Sequence, residues 1–246
     1  MRKASAMGQI YLVRHGQASF GSSNYDQLSD LGVEQARLLG EWFANSKQTF
    51  HRVVTGDLKR HRQTADACMA VLPKAHRIET EWHTDPGFNE YDHHEVVVRY
   101  RPEFEDPMEV KRFLASGPKA KHEWQTMFEQ AMARWMGGEH DSDYREPWPV
   151  FRERCVAALQ RLLEGADKSQ SIVVFTSGGT IATLCQHLLG LSDRQVAALN
   201  WTLVNCAVTK LLYRTGGAPS PRVTLSYLNN YAHLEWLGQP HSITYR

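Results

Sequence analysis

Residues 10–16 read IYLVRHG, a short β-branched apolar run that stops at once against two basic side chains and a glycine. An apolar run of this length is a buried strand. The loop after it leads into Leu31, Leu38, Leu39, Trp42 and Phe43, which recur at helical spacing, with Ser29 or Asp30 placed to cap the first turn. The unit then repeats. Val53 and Val54 precede the Thr55–Gly56 turn, and Leu58, Ala65, Met69 and Leu72 recur helically until Pro73. A third copy runs Ile172, Val173, Val174 and Phe175 through Ser177, Gly178 and Gly179 into Ile181, Leu184, Leu188 and Leu189, with Gly190 as its stop. Alternation of this kind predicts an α/β fold, a three-layer α/β/α sandwich around a mostly parallel central sheet. Two further strands, at residues 207–213 and 223–228, flank the loop TGGAPSP (215–221) and complete the sheet by a hairpin-like reversal.

Between about 86 and 148 the grammar changes. Pro86, Pro102, Pro107, Pro118 and Pro147 interrupt short helical pieces such as Trp124, Met127, Phe128, Ala131 and Trp135, whose stripe reads as core packing. This is expected to be a helical insertion over the site within one domain spanning residues 1–246. A chain of 246 residues suits one elaborated domain or two small ones.

Composition excludes several classes. Lys plus Arg number 28 against 27 Asp plus Glu, a net charge of +1, so no global field draws the chain to nucleic acid or an anionic membrane. At 42% hydrophobic and 22% charged, with 17 Gly and 10 Pro, it is neither disordered nor fibrous. Cys68, Cys155, Cys185 and Cys206 are too scattered for a zinc site or a disulfide framework and read as reduced core thiols. The opening residues MRKASAMGQIYLV lack the apolar core of a secretory signal, and no stretch is apolar for the roughly 20 residues a membrane helix needs. The expected compartment is the cytoplasm.

Three turns carry the candidate chemistry. Arg14, His15 and Gly16 follow the first strand at the carboxyl edge, where open α/β sheets bind ligands. The guanidinium fork suits phosphate oxygens, and the imidazole serves as nucleophile or general base. The second turn, TGDLKRHRQTA (55–65), opens a helix whose N-terminus favours anions, with Arg60 as a second fork and Arg62 a more peripheral charge. In the third, FTSGGT (175–180), backbone amides and the Ser177 hydroxyl are placed to cradle an oxyanion.

The order of these motifs resembles the histidine phosphatase superfamily, the phosphoglycerate-mutase-like fold. VRHGQAS resembles its signature, LSDLGVEQARLLG its following helix and DLKRHRQTA its second-arginine motif, across most of residues 8–72 and 171–190. The resemblance implies that His15 attacks phosphorus and becomes a phosphohistidine, that Arg14 and Arg60 hold the phosphoryl oxygens, and that Glu90 in PGFNEYD protonates the leaving oxygen and then activates water. Gly178 contributes an amide, and Gln17 and Ser19 of the signature loop are placed to touch phosphate or substrate. Neither metal nor cofactor is implied.

Two departures stand out. Where the family has a second histidine before two glycines, this chain has Ser177, which donates one hydrogen bond and brings no charge. Losing a charge-assisted contact costs about 1.5 to 3 kcal/mol, or roughly one to two decades in rate if it is felt only in the transition state. The expected substitute is the serine hydroxyl together with the neighbouring helix N-terminus. His93 and His94 read as solvent-exposed, and His61 as pointing away, one helical position round from Arg60. Second, Phe20 and Gly21 stand where many relatives have an Asn. EYDHHEVVVRYRPEF (90–104) does not match the ERHYG-like stretch of the family's mutases. The expected activity is therefore hydrolysis of a phosphate monoester on a phosphorylated small molecule, with a phosphoprotein as the alternative partner. Phosphoglycerate-mutase-type phosphotransfer, or a catalytically impaired phosphate-binding or regulatory role, are the competing expectations.

Overall fold

Ile10, Tyr11, Leu12 and Val13 form the middle of β1 (Gly8–Arg14), and all four are buried. A strand points successive side chains to opposite faces, so a continuous apolar run means that both faces are covered. Ile10 and Leu12 enter one core and Tyr11 and Val13 the other. The chain, seen here in a computed structural model that describes residues 7–19, 26–78, 82–215 and 222–245, is built around this strand.

The sheet contains β1, β2 (Arg52–Thr55), β3 (His83–Thr84), β4 (Ser171–Thr176), β5 (Val208–Arg214) and β6 (Arg222–Asn230), in the order β3-β2-β4-β1-β5-β6. β3, β2, β4 and β1 run parallel, while β5 and β6 are antiparallel to their neighbours, as the hairpin-like ending predicts. The tip of that hairpin, at 216–221, lies outside the described residues, as do Phe20 and Gly21.

Helices α1 (Asp30–Asn45) and α2 (Lys59–Ala70) cover one face, where Leu39, Phe43, Cys68 and Met69 meet Val53, Val173 and Phe175. Tyr11, Phe43 and Phe50 meet edge to face there, with ring centroids 5.0 to 5.9 Å apart. Each such fully buried large side chain stabilises the fold by roughly 1.5–3 kcal/mol. Ser29, rather than Asp30, caps α1, its hydroxyl accepting from the Gly32 amide at 3.1 Å.

Between 86 and 148 lie α3 (His93–Tyr100), α4 (Pro107–Leu114) and α5 (Ala120–Met136). The prolines here start helices more often than they break them. Pro86 and Pro102 open short 3₁₀ turns, Pro107 opens α4, and Pro147 precedes the long helix α6 (Trp148–Glu164); a first-turn proline sacrifices no helical hydrogen bond. α6 packs with α7 (Gly178–Leu189) on the second face of the sheet, where Trp135, Phe151 and Ile181 join Ile10, Leu12 and Ile172. Gly190 ends α7 in the left-handed conformation, φ 69°. α8 (Asp193–Thr202) and the single-turn α9 (Ala232–Glu235) complete the set; α6, α8, α9 and the two-residue β3 carry no expectation from the sequence.

Candidate active site

The sheet brings the three turns together. Arg14 and Thr176 pair at the ends of β1 and β4, the His15 amide donates to the Thr176 carbonyl at 2.9 Å, and the Gly56 amide after β2 donates to the Phe175 carbonyl at 3.1 Å. Three consecutive parallel strands thus end side by side, and α2 and α7 start from that edge.

His15 is buried, 6% exposed. Its Nδ1 lies 2.7 Å from the Gly16 carbonyl oxygen. A carbonyl only accepts, so Nδ1 carries the proton and the neutral ring presents the lone pair of Nε2. Arg60 Nε donates toward that nitrogen at 3.3 Å. Burial, with the charges of Arg60 and Arg14 behind it, holds the imidazole well below its ordinary 6.5, in the unprotonated form a nucleophile needs. The buried side chain of Asn205 fixes the turn from beneath, donating to the His15 carbonyl at 3.0 Å.

Arg60 is held by Asp26, whose Oδ1 accepts from Nη1 at 2.9 Å and whose Oδ2 accepts from the Lys59 amide at 2.9 Å, so one carboxylate both steers the guanidinium and caps α2. Arg14 donates to the Leu203 carbonyl. A Cβ at Gly178 would stand 2.6 Å from Asn200 Oδ1 and 3.3 Å from Arg14 Nε, so the missing side chain is what lets the backbone at the start of α7 approach this arginine.

Glu90 reaches the same cluster from the segment before α3. Its Oε2 accepts from the Gly179 amide at 3.1 Å and its Oε1 from the Tyr91 amide at 3.3 Å. Burial raises its pKa above the ordinary 4.5, against the pull of the Gly179 amide, Arg60 and Arg14. The segment is tied down by its backbone: the Phe88 carbonyl accepts from Thr176 Oγ1 at 2.6 Å and the Asn89 carbonyl from Thr180 Oγ1 at 2.8 Å. From α6, Arg154 Nη1 donates to the carbonyls of Pro86, Gly87 and Asn89 at 3.1 to 3.2 Å, while Glu146 holds the same guanidinium at 2.6 Å.

Two expectations about histidines are overturned. His61 does not point away: it is fully buried, its ring centroid is 5.8 Å from that of His15, and its Nε2 lies 2.6 Å from Ser177 Oγ. Consecutive helical residues are separated by about 100°, but the site wraps around the first turn of α2, so Arg60 and its neighbour both face it. His93 is partly buried, and burial with the Arg60 charge lowers its imidazole to about 4; His94 is exposed, as expected.

Ser177 precedes α7 without capping it through its side chain. Gln17 is committed to the loop, its Oε1 accepting from Ser29 Oγ at 2.8 Å, and Ser19 Oγ donates to the Leu28 carbonyl at 3.0 Å. Arg62 lies over Trp82 at 4.4 Å and pairs with Asp66, peripheral as expected. Asp26, Asn200 and Arg154 were not singled out in the sequence; none stands in a motif, and only the tertiary fold brings them here. Among the described residues no group of three or more His, Cys, Asp and Glu side chains is placed to hold a metal ion, and no helix is long and apolar enough to cross a membrane.

Comparison with known proteins shows the family and the fold. The family described as histidine phosphatase superfamily (branch 1) matches residues 10–224. The mitochondrial serine/threonine-protein phosphatase Pgam5 of Caenorhabditis briggsae is 38% identical over 71 residues, 29% of this chain and 25% of that protein, so the chain matches a quarter of the relative's length. Among solved structures, a phosphoglycerate mutase from Bacillus anthracis aligns at a TM-score of 0.62 with 18% identity, over 93% of this chain and 96% of that one. A phosphoserine phosphatase from Entamoeba histolytica, in complex with phosphoserine, aligns at 0.60 with 18% identity, over 93% and 100%. At that identity the two structures establish a shared fold.

Proposed function

Since this chain belongs to the histidine phosphatase superfamily (branch 1), we propose that it is a metal-independent phosphatase that hydrolyses a phosphate monoester through a phosphohistidine at His15. The observation that carries this reading is the bond from His15 Nδ1 to the Gly16 carbonyl, which leaves Nε2 unprotonated beside Arg60.

In the first step the Nε2 lone pair forms the bond to phosphorus, the bond to the ester oxygen breaks, and Glu90 gives its proton to the departing alkoxide. In the second, Glu90, now a carboxylate, takes a proton from water as that oxygen bonds phosphorus, and the P–N bond returns its electrons to Nε2. Charge spreads over the phosphoryl oxygens throughout, so fixed cations supply most of the rate. Arg14 and Arg60 provide two, with the amide at Gly178 as a further donor. That pair of guanidinium groups supports a reaction with no metal. Burial moves the two titrating groups in the useful sense, His15 toward its neutral base and Glu90 toward its protonated acid.

The shallow exposure of His15, 6%, favours a small phosphorylated molecule that fits down to the nitrogen over a folded phosphoprotein. The phosphatases among the relatives support hydrolysis; a mutase would have to shield the phosphohistidine from water. The four cysteines are all free and buried, in keeping with a reducing cytoplasm.

The test is a panel of phosphate monoesters run on the wild type and His15→Ala, with and without EDTA. Turnover insensitive to EDTA, release of inorganic phosphate, and an acid-labile label on the wild type alone are expected. Phosphate returned to a second position of the substrate without net release would mark a mutase. No label from any ester would leave a binding protein.

A further inference from the structure

The contact between His61 and Ser177 has no part in the reaction as written above. His61 is fully buried, yet its Nδ1 has no hydrogen-bond partner. The space beside that nitrogen is kept by Gly56, where a Cβ would stand 2.3 Å from Nδ1 and 2.6 Å from Asn89 Oδ1. Its Nε2 makes a 2.6 Å bond to Ser177 Oγ.

These facts choose the tautomer. A neutral imidazole carries one proton. On Nδ1 it would be a buried N–H donor with nothing to accept it, which is costlier than leaving a ring lone pair unused. On Nε2 it donates to Ser177 Oγ. The hydroxyl, having accepted this bond, has its own proton left to give, and it does not spend its oxygen on capping α7. Where that proton goes follows from the neighbours. The next residue, Gly178, stands against the Arg14 guanidinium, and the His61 ring lies 5.8 Å from His15. Burial, and next the Arg60 charge, keep His61 neutral, so it gives a hydrogen bond and no charge.

We infer that His61 and Ser177 together hold the post of the family's second histidine: His61 donates its Nε2 proton to Ser177 Oγ, and the serine hydroxyl donates to a phosphoryl oxygen of the group carried to and from His15. Ser177 touches the substrate, and His61 acts through it as a positioning residue. The inference rests on the phosphohistidine reading above and adds to it the source of the third oxygen's donor.

The first measurement needs no turnover. A long-range ¹⁵N–¹H NMR spectrum of the imidazoles is expected to show His61 protonated on Nε2 at neutral pH; a proton on Nδ1 would overturn the inference. Binding of inorganic phosphate by calorimetry follows. Ser177→Ala and His61→Ala should each weaken it, and slow turnover, by about tenfold, and the double variant should be no worse than Ser177→Ala alone, because one removes what the other positions. Additive losses, or wild-type phosphate affinity in His61→Ala, would overturn it. His61→Gln, whose amide can donate in place of Nε2–H, controls for packing: it should recover most of the affinity and keep the acid limb of the kcat/KM profile where the wild type has it. If that limb moves, His61 works as a cation and the inference fails. A wild type that binds phosphate through the pair but turns over no ester would refute the hydrolase reading and leave the pair standing.

Discussion

The turns after β1 and β4 leave neighbouring parallel strands in the same direction, and each meets an imidazole by a different route. At the first, the turn carries His15 itself and fixes its ring with its own Gly16 carbonyl. At the second, the turn carries Ser177, and the ring that meets it belongs to His61, 116 residues earlier in the chain and one strand away across the sheet. A chemical post at a sheet edge therefore belongs to a place, and a neighbouring element can supply its side chain. The cost is steric: Gly56 has to stay bare for the His61 ring to lie where it does.

The strongest way to break the comparison is at the turn that supplies its own ring. His15→Ala should lower kcat by about four orders of magnitude or more, as loss of a covalent nucleophile does, with the thermal midpoint little changed; a smaller loss would mean that another group attacks. Next comes the acid. Glu90→Gln should cost about 10²- to 10⁴-fold in kcat for alkyl phosphates and much less for an aryl ester, whose leaving oxygen needs no proton. The pH profile gives the sign. His15 must be neutral and is held below 6.5, so the acid limb of kcat/KM should lie below that value; Glu90 must be protonated and is held above 4.5, so activity falls as pH rises past its raised value. In Glu90→Gln that alkaline limb should vanish, and its survival would remove Glu90 from the role.

A smaller effect probes the support beneath Glu90. Arg154→Ala frees the carbonyls of Pro86, Gly87 and Asn89 and should lower kcat about tenfold while phosphate affinity holds, since no phosphate-binding side chain hangs from that segment. Equal losses in both would show that α6 also supports the anion site. Smallest of all, Gln17→Ala should change kcat/KM by less than about threefold and instead loosen the start of α1, at roughly the 1 kcal/mol scale of a disturbed helix cap, read as a lowered melting temperature.

The sheet edge was legible because strands buried on both faces announce themselves as unbroken apolar runs, and the glycines and basic residues after Val13, Thr55 and Thr176 mark where each run ends. His15, both arginines and Ser177 follow from those positions. The direction of His61 was not legible. Helical spacing separates it from Arg60 but cannot say that ligand groups crowd both sides of the helix start. Asp26 and Asn200 stayed hidden for a related reason. Asp26 precedes the first helix in a stretch with no repeating pattern, Asn200 sits on α8 beside the apolar positions Val196, Leu199 and Leu203, and only long-range packing brings either to the site. Of the helices between 86 and 148 the sequence revealed α5, whose stripe of Trp and Met is periodic; Pro107 marks the beginning of α4 where an interruption was expected, and α3 starts behind Asp92 with no proline at its first turn.

The sealed thiols bear on how this molecule meets oxidants. Peroxide reacts with thiolate, and here burial pushes Cys155 and Cys185 up to about 12 and Cys68 and Cys206 up as well, so none of the four offers one. With the nitrogen of His15 as the proposed nucleophile in place of sulfur, turnover is expected to survive a peroxide treatment that silences thiol-dependent enzymes.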